Sequence, residues 1–134
     1  MGAVVDRSRW PVVTVSVEEP ADLDALADEL EAMIAGESPF GLAVNAPDGV
    51  EALQEMLWAA PNARRRLRRQ RAALAAWCEA AVHVMAPHAR TSESTLRYAE
   101  LIWGCAALAA LTPDEAAELL TSRLAERPIP FQAV

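Results

Sequence analysis

The chain predicts an α/β fold: a single small domain of about four mostly parallel strands alternating with four to five helices packed mainly on one face. Three observations carry this. Segments with a two-residue apolar period alternate with segments whose apolar residues recur at helical spacing, which implies parallel pairing through helical crossovers. Gly, Pro and capping residues punctuate the boundaries between them. The 134 residues, 53% hydrophobic and 23% charged, suit one packed core rather than two domains or a disordered chain.

The elements follow in order. Residues 1–9 read as an N-terminal extension. Pro11 to Glu18, PVVTVSVE, sets Val13, Val15 and Val17 on one side and Thr14 and Ser16 on the other, a half-buried strand. From Pro20 to Gly36 a stripe of Leu23, Leu26, Leu30, Met33 and Ile34 marks a helix whose other face is acidic, with Gly36 as its stop. FGLAVNA, Phe40 to Ala46, alternates again and ends at the turn Pro47-Asp48-Gly49. A short helix over Val50–Trp58, with Leu53 and Leu57 inward and Asp48 as a cap, is interrupted by Pro61.

A longer helix runs from a cap at Asn62 to about Ala80. AVHVMA, Ala81 to Ala86, reads as a third strand with Val82 and Val84 on one side and His83 and Met85 on the other. Ser92 caps a helix carrying Leu96, Ala99, Ile102 and Trp103, stopped at Gly104. CAALAAL, Cys105 to Leu111, reads as a short fourth strand, although alanine-rich runs suit helices too. Thr112-Pro113-Asp114-Glu115 is a helix start with cap, N1 proline and capping-box glutamate. The tail from residue 127 reads as irregular.

Net charge is −7 and every one of the twelve basic residues is arginine. Trp10 to Asn62 holds eleven acids and no base, whereas Arg64 to Arg71 holds six bases and no acid. The acidic total argues against nucleic acid and anionic membranes as partners. No signal-peptide pattern and no run of ~20 apolar residues is present, so a cytoplasmic protein is expected. Cys78 and Cys105 match no metal or redox spacing and are expected to be buried, reduced thiols. Neither histidine has ligand spacing, so no metal and no cofactor is predicted.

This layout resembles the STAS domain, the small α/β fold of anti-sigma-factor antagonists and the SpoIIAA-like group, over residues 10 to 126. The resemblance rests on the Trp10-Pro11 entry into VVTVSV, on FGLAVNA running into a turn and helix, and on the closing WGCAALAALTPDEAAELL. It implies a STAS-like sandwich and a non-catalytic, regulatory interaction module. Regulatory members carry an Asp-x-Ser loop phosphorylated by a partner kinase. Here the corresponding segment is Asn45-Ala46-Pro47-Asp48-Gly49, without Ser or Thr, which implies that the phospho-switch is lost. What would remain is docking by the loops at the C-terminal strand ends.

Three residue groups are candidates for function. The first is that loop edge, Asp48, Gly49, His88 and Ser92, as a partner-binding surface. The second is the arginine helix: at ~100° per residue, Ala63, Leu67, Gln70, Leu74, Trp77 and Cys78 share an inward arc, leaving Arg64, Arg65, Arg66, Arg68, Arg69 and Arg71 on the outer arc. A solvated face explains most of that. However, three arginines in a first turn oppose the helix dipole by ~0.3–1 kcal/mol each, so acidic neighbours are expected, in the same chain or a second copy. No aromatic residue interleaves with these arginines for base stacking. The third group is an open sheet face carrying Thr14, Ser16, Asn45 and His83, either a small-molecule pocket or a homodimer surface. The expected partner is a protein, a second copy of the chain among the candidates; a small-molecule ligand or a minor enzymatic role on the open face is one alternative, and a purely structural homodimer subunit is another.

Overall fold

A computed structural model describes residues 4–89 and 92–127. Two strands open the chain, β1 (Val5–Arg9) and β2 (Val12–Ser16). They are followed by α1 (Asp22–Ala35), β3 (Phe40–Asn45), α2 (Val50–Trp58), α3 (Pro61–Trp77), β4 (Cys78–Val84), α4 (Glu93–Trp103), β5 (Ala106–Ala110) and α5 (Pro113–Glu126). The five strands form one sheet in sequence order, with β2 to β5 all parallel and β1 antiparallel at the edge. Since each parallel strand is added beside the previous one, right-handed crossovers place the connecting helices on one face. Accordingly, α3 packs against α1, α2 and α4 as well as on β4, while α5 alone meets β2, β3, β4 and β5 from the opposite side.

Two apolar clusters result. The larger joins Val13, Val15, Leu42 and Val44 to Leu23, Leu26, Leu30, Leu67, Leu74 and Trp103. The smaller joins Val12, Ala43, Ala80, Val82 and Ala110 to Ala116 and Leu120 of α5. Gly41 lets α5 approach: a Cβ there would lie 2.6 Å from Leu120 Cδ2. At Gly104, φ is +75° and a Cβ would meet the Arg71 carbonyl oxygen at 2.5 Å, so this glycine both stops α4 and lets it abut α3.

Several expectations change. The extension over residues 1–9 contains a strand, β1, which pairs with β2 (Val5 with Val15, Asp6 with Thr14). The run Cys105 to Leu111 does hold a strand. The third predicted strand begins three residues earlier, at Cys78, and α3 ends at Trp77. Asn62 does not cap α3: Ala60 stands at the N-cap and Pro61 opens the helix, as proline's missing N–H allows. Gly49 rather than Asp48 occupies the N-cap of α2. Ser92 and Thr112 cap as expected, accepting from the Thr95 and Glu115 backbone N–H groups at 3.2 and 3.1 Å. Arg127 is held by Glu79 at 3.3 Å and by the Ala76 carbonyl; the rest of the expected tail, residues 128–134, lies outside the described residues. Among the described residues no helix is long and apolar enough to cross a membrane.

Candidate functional site

The predicted open face does not assemble. Thr14, Ser16 and Asn45 do share the α5 side of the sheet, and Asn45 Nδ2 donates to Ser16 Oγ at 2.8 Å. His83 points the other way. It stands opposite Val44 in the register, and an irregularity between Phe40–Leu42 and Cys78–Ala81 gives β4 an extra residue at that point. One residue of slip exchanges the faces of a strand, so Val82 takes the α5 side and His83, with Met85, the side of the larger helical layer.

His83 is fully buried. The Trp103 indole N–H donates to its Nε2 at 3.1 Å, and its Nδ1 lies 3.2 Å from the Leu108 carbonyl oxygen. These partners select the neutral tautomer protonated on Nδ1, because Nε2 must accept. Burial pushes its pKa down, opposed by the Leu108 hydrogen bond. This imidazole is a core bridge between β4, β5 and α4, not a wall of a ligand pocket. The two cysteines, distant in sequence, also meet: the Cys105 thiol donates to Cys78 Sγ at 3.5 Å, both are free thiols, and Cys105 is only half-buried. The contact with Cys105, reinforced by burial, pushes the Cys78 thiol well up, the opposite of an activated nucleophile.

The loop edge is partly brought together. Gly49 N–H donates to the Ala46 carbonyl at 2.9 Å, and Ala86 N–H to the Pro47 carbonyl at 3.3 Å, tying the Asp48 loop to the loop after β4. Asp48 and Gly49 line a cleft of about 380 Å³ together with Ser16, Asn45, Leu53 and Met56. Neither His88, which is exposed, nor Ser92, which caps α4, is part of its wall.

On α3 the six arginines divide by partner. Arg66 reaches α1, lying 2.5 Å from Asp28 and 3.4 Å from Glu31, and these acids raise its pKa. Arg65 donates to Asn62 Oδ1, and Arg69 is exposed. Arg64, Arg68 and Arg71 turn toward α4 and line a cleft of about 270 Å³ with Leu57, Trp58, Leu67, Tyr98, Leu101 and Ile102. The Arg64 guanidinium stacks 4.4 Å over the Trp58 ring. None of these three arginines has an acidic partner among the described residues, and Arg64 Nη1 and Arg71 Nε are buried donors without an acceptor.

Around this cleft lie the large apolar side chains Trp58, Tyr98 and Leu101, 68%, 47% and 57% exposed. Sequence reasoning missed them. The available signal was their position one residue off the inward stripes: Trp58 follows Leu57, Tyr98 precedes Ala99, and Leu101 precedes Ile102. Aromatics do therefore stand beside the arginines, supplied by α2 and α4 rather than by α3 itself. A second, more open cleft adjoins the first across Trp58, Tyr98 and Gln54, and its walls carry Glu51, Glu55, Ser94 and Thr95.

The described residues form a small α/β domain built on one mostly parallel five-stranded sheet with five helices. No family model, curated protein or solved structure matches it.

Proposed function

We propose that this domain is a non-catalytic, cytoplasmic protein-interaction module of regulatory type, and that it docks its partner through the α2–α4 face centred on Trp58. One observation carries the reading. Trp58, Tyr98 and Leu101 are exposed side by side and flanked by Arg64, Arg68 and Arg71. Trp, Tyr and Arg are the residue types that dominate binding energy at protein interfaces, and a clustered apolar patch rimmed by charge marks such surfaces. The order of elements between residues 10 and 126 supports a STAS-like relationship for the fold. The Asp48 loop edge serves as a second contact in this reading.

The test is capture from the source cell on immobilised domain. Trp58→Ser together with Leu101→Ser is expected to lose partners that the wild type retains and that Asp48→Arg, at the second contact, holds more weakly. An unchanged set of partners on the doubly substituted face sinks the proposal.

The 380 Å³ cleft favours one second reading, a small-molecule site formed by Ser16, Asn45 and Asp48. Protection of the domain against thermal unfolding by a small metabolite, abolished by Asn45→Leu, would support it over the docking face.

A further inference from the structure

The docking face is electrically two-sided, and that asymmetry specifies a partner. Trp58, Tyr98 and Gln54 are common to both clefts and form the ridge between them. On one side stand Arg64, Arg68 and Arg71; on the other stand Glu51 and Glu55. Arg68 and Glu55 are exposed. None of these five charges has an oppositely charged partner in the same chain among the described residues, although Arg66, Arg97, Arg123 and Arg127 each do. Two of the arginines also bury N–H donors that lack an acceptor among the described residues.

A surface with an apolar ridge, a positive side and a negative side is self-complementary under a two-fold rotation. If the axis passes through the ridge, each positive cleft comes to lie over the negative cleft of the other molecule, and ridge packs on ridge. This is the pattern an isologous interface requires. Resting on the interaction-module reading above, we infer that the partner on the Trp58 face is a second copy of this chain, paired so that Arg64, Arg68 and Arg71 of each protomer face Glu51 and Glu55 of the other. The negative net charge opposes association only over long range, where salt screens it. The local pairing is short-range and desolvated by the aromatic ridge. Carboxylates from the other copy would also offset Arg64, placed near the positive end of α3 where its own helix disfavours it.

Charge exchange tests this without disturbing the core. By sedimentation equilibrium, the wild type is expected to pass from monomer to dimer as concentration rises, with weaker association at high salt. Arg68→Glu alone and Glu55→Arg alone each put like charges face to face and should weaken the dimer by about tenfold or more. Mixing these two variants should form a heterodimer, and placing both changes in one chain should restore the homodimer with its polarity reversed. Circular dichroism confirms that each variant is folded.

A wild type that stays monomeric at about 1 mM, a concentration that reveals even weak self-association, overturns the inference. So does a dimer indifferent to either single exchange, or a mixture that fails to associate. A monomeric wild type whose Trp58→Ser, Leu101→Ser form still loses a foreign partner removes the dimer while leaving the module reading in place; a monomeric wild type whose doubly substituted form keeps every partner removes both.

Discussion

The contact between Gly41 and Leu120 decides whether the second face of the sheet is closed, and a pair of substitutions measures it. Leu120 has no exposed surface, and Leu120→Ala removes three carbons. At ~0.8 kcal/mol per buried methylene, that is about 2.4 kcal/mol of transfer free energy. The residual cavity adds to it, within the ~2–5 kcal/mol range of such truncations. Gly41 lies directly beneath and has no side chain to move into the hole, so a loss of about 3–4 kcal/mol is expected. Gly41→Ala alone places a Cβ 2.6 Å from Leu120 Cδ2. Overpacking costs ~1–3 kcal/mol, partly offset by the ~0.5–1 kcal/mol that glycine loses in an extended strand. In the Leu120→Ala background the same Cβ fills vacated space, and the sign reverses. Gly41→Ala should then stabilise, leaving the double variant about 1–2 kcal/mol better than the sum of the singles. Urea unfolding followed by circular dichroism, with unchanged m-values, reads all four corners of the cycle. Additivity within ~0.5 kcal/mol, or a Leu120→Ala loss under ~1 kcal/mol, would show that α5 does not pack on Gly41 and that the face is open after all.

Two further expectations concern the buried imidazole. Trp103→Phe removes the donor to His83 Nε2 and leaves that acceptor buried. The cost is ~1–3 kcal/mol before any loss of packing, and a chemical-denaturation change below ~0.5 kcal/mol would count against the bridge. The His83 pKa is lowered in the folded state from its ordinary 6.5, so the unfolded chain takes up the proton first as pH falls. Its stability contribution is therefore complete above the unfolded value and is lost as pH drops through the depressed folded one. The denaturation midpoint should decline between pH 7 and 5.5 more steeply for wild type than for His83→Gln, whose amide keeps both a donor and an acceptor but does not titrate. Equal slopes would refute the assignment.

The sheet and its crossovers were legible because their signals are local. Ser92, Gly104 and Thr112 mark boundaries through hydrogen bonds and backbone geometry confined to one turn, and Val13, Leu42 and Val44 alternate because one side of each strand meets the helical layer. Strand β1 was hidden for the complementary reason. Four of its five residues are exposed, so backbone pairing to β2 holds it and no apolar period announces it. In β4 the residue types misled: Val82 and Val84 look like the pair facing the larger helical layer, yet parity there is set by the irregularity between Cys78 and Ala81, at the pairing with β3, and they face α5 instead. His83 takes an inward position that a valine period would deny it because the Trp103 N–H, buried from across the layer, needs an acceptor.

The candidate docking face was illegible because no single helix owns it. Trp58 and Tyr98 are 40 positions apart, and each looks like an off-stripe residue on its own helix. Only the packing of α2, α3 and α4 makes them neighbours. The arginines show the same division between local and tertiary causes. Crowding of Arg64, Arg65 and Arg66 at the positive end of α3 has three separate answers: Asn62 within the turn for Arg65, the acids of α1 for Arg66, and for Arg64 an aromatic ring that stacks but carries no negative charge. The acidic neighbour that the helix dipole calls for is thus supplied within the chain for Arg66. Among the described residues none is found for Arg64, nor for Arg68 and Arg71 on the same side, and no base pairs with Glu51 or Glu55 across the Trp58 ridge, where a second copy would bring the two sets together.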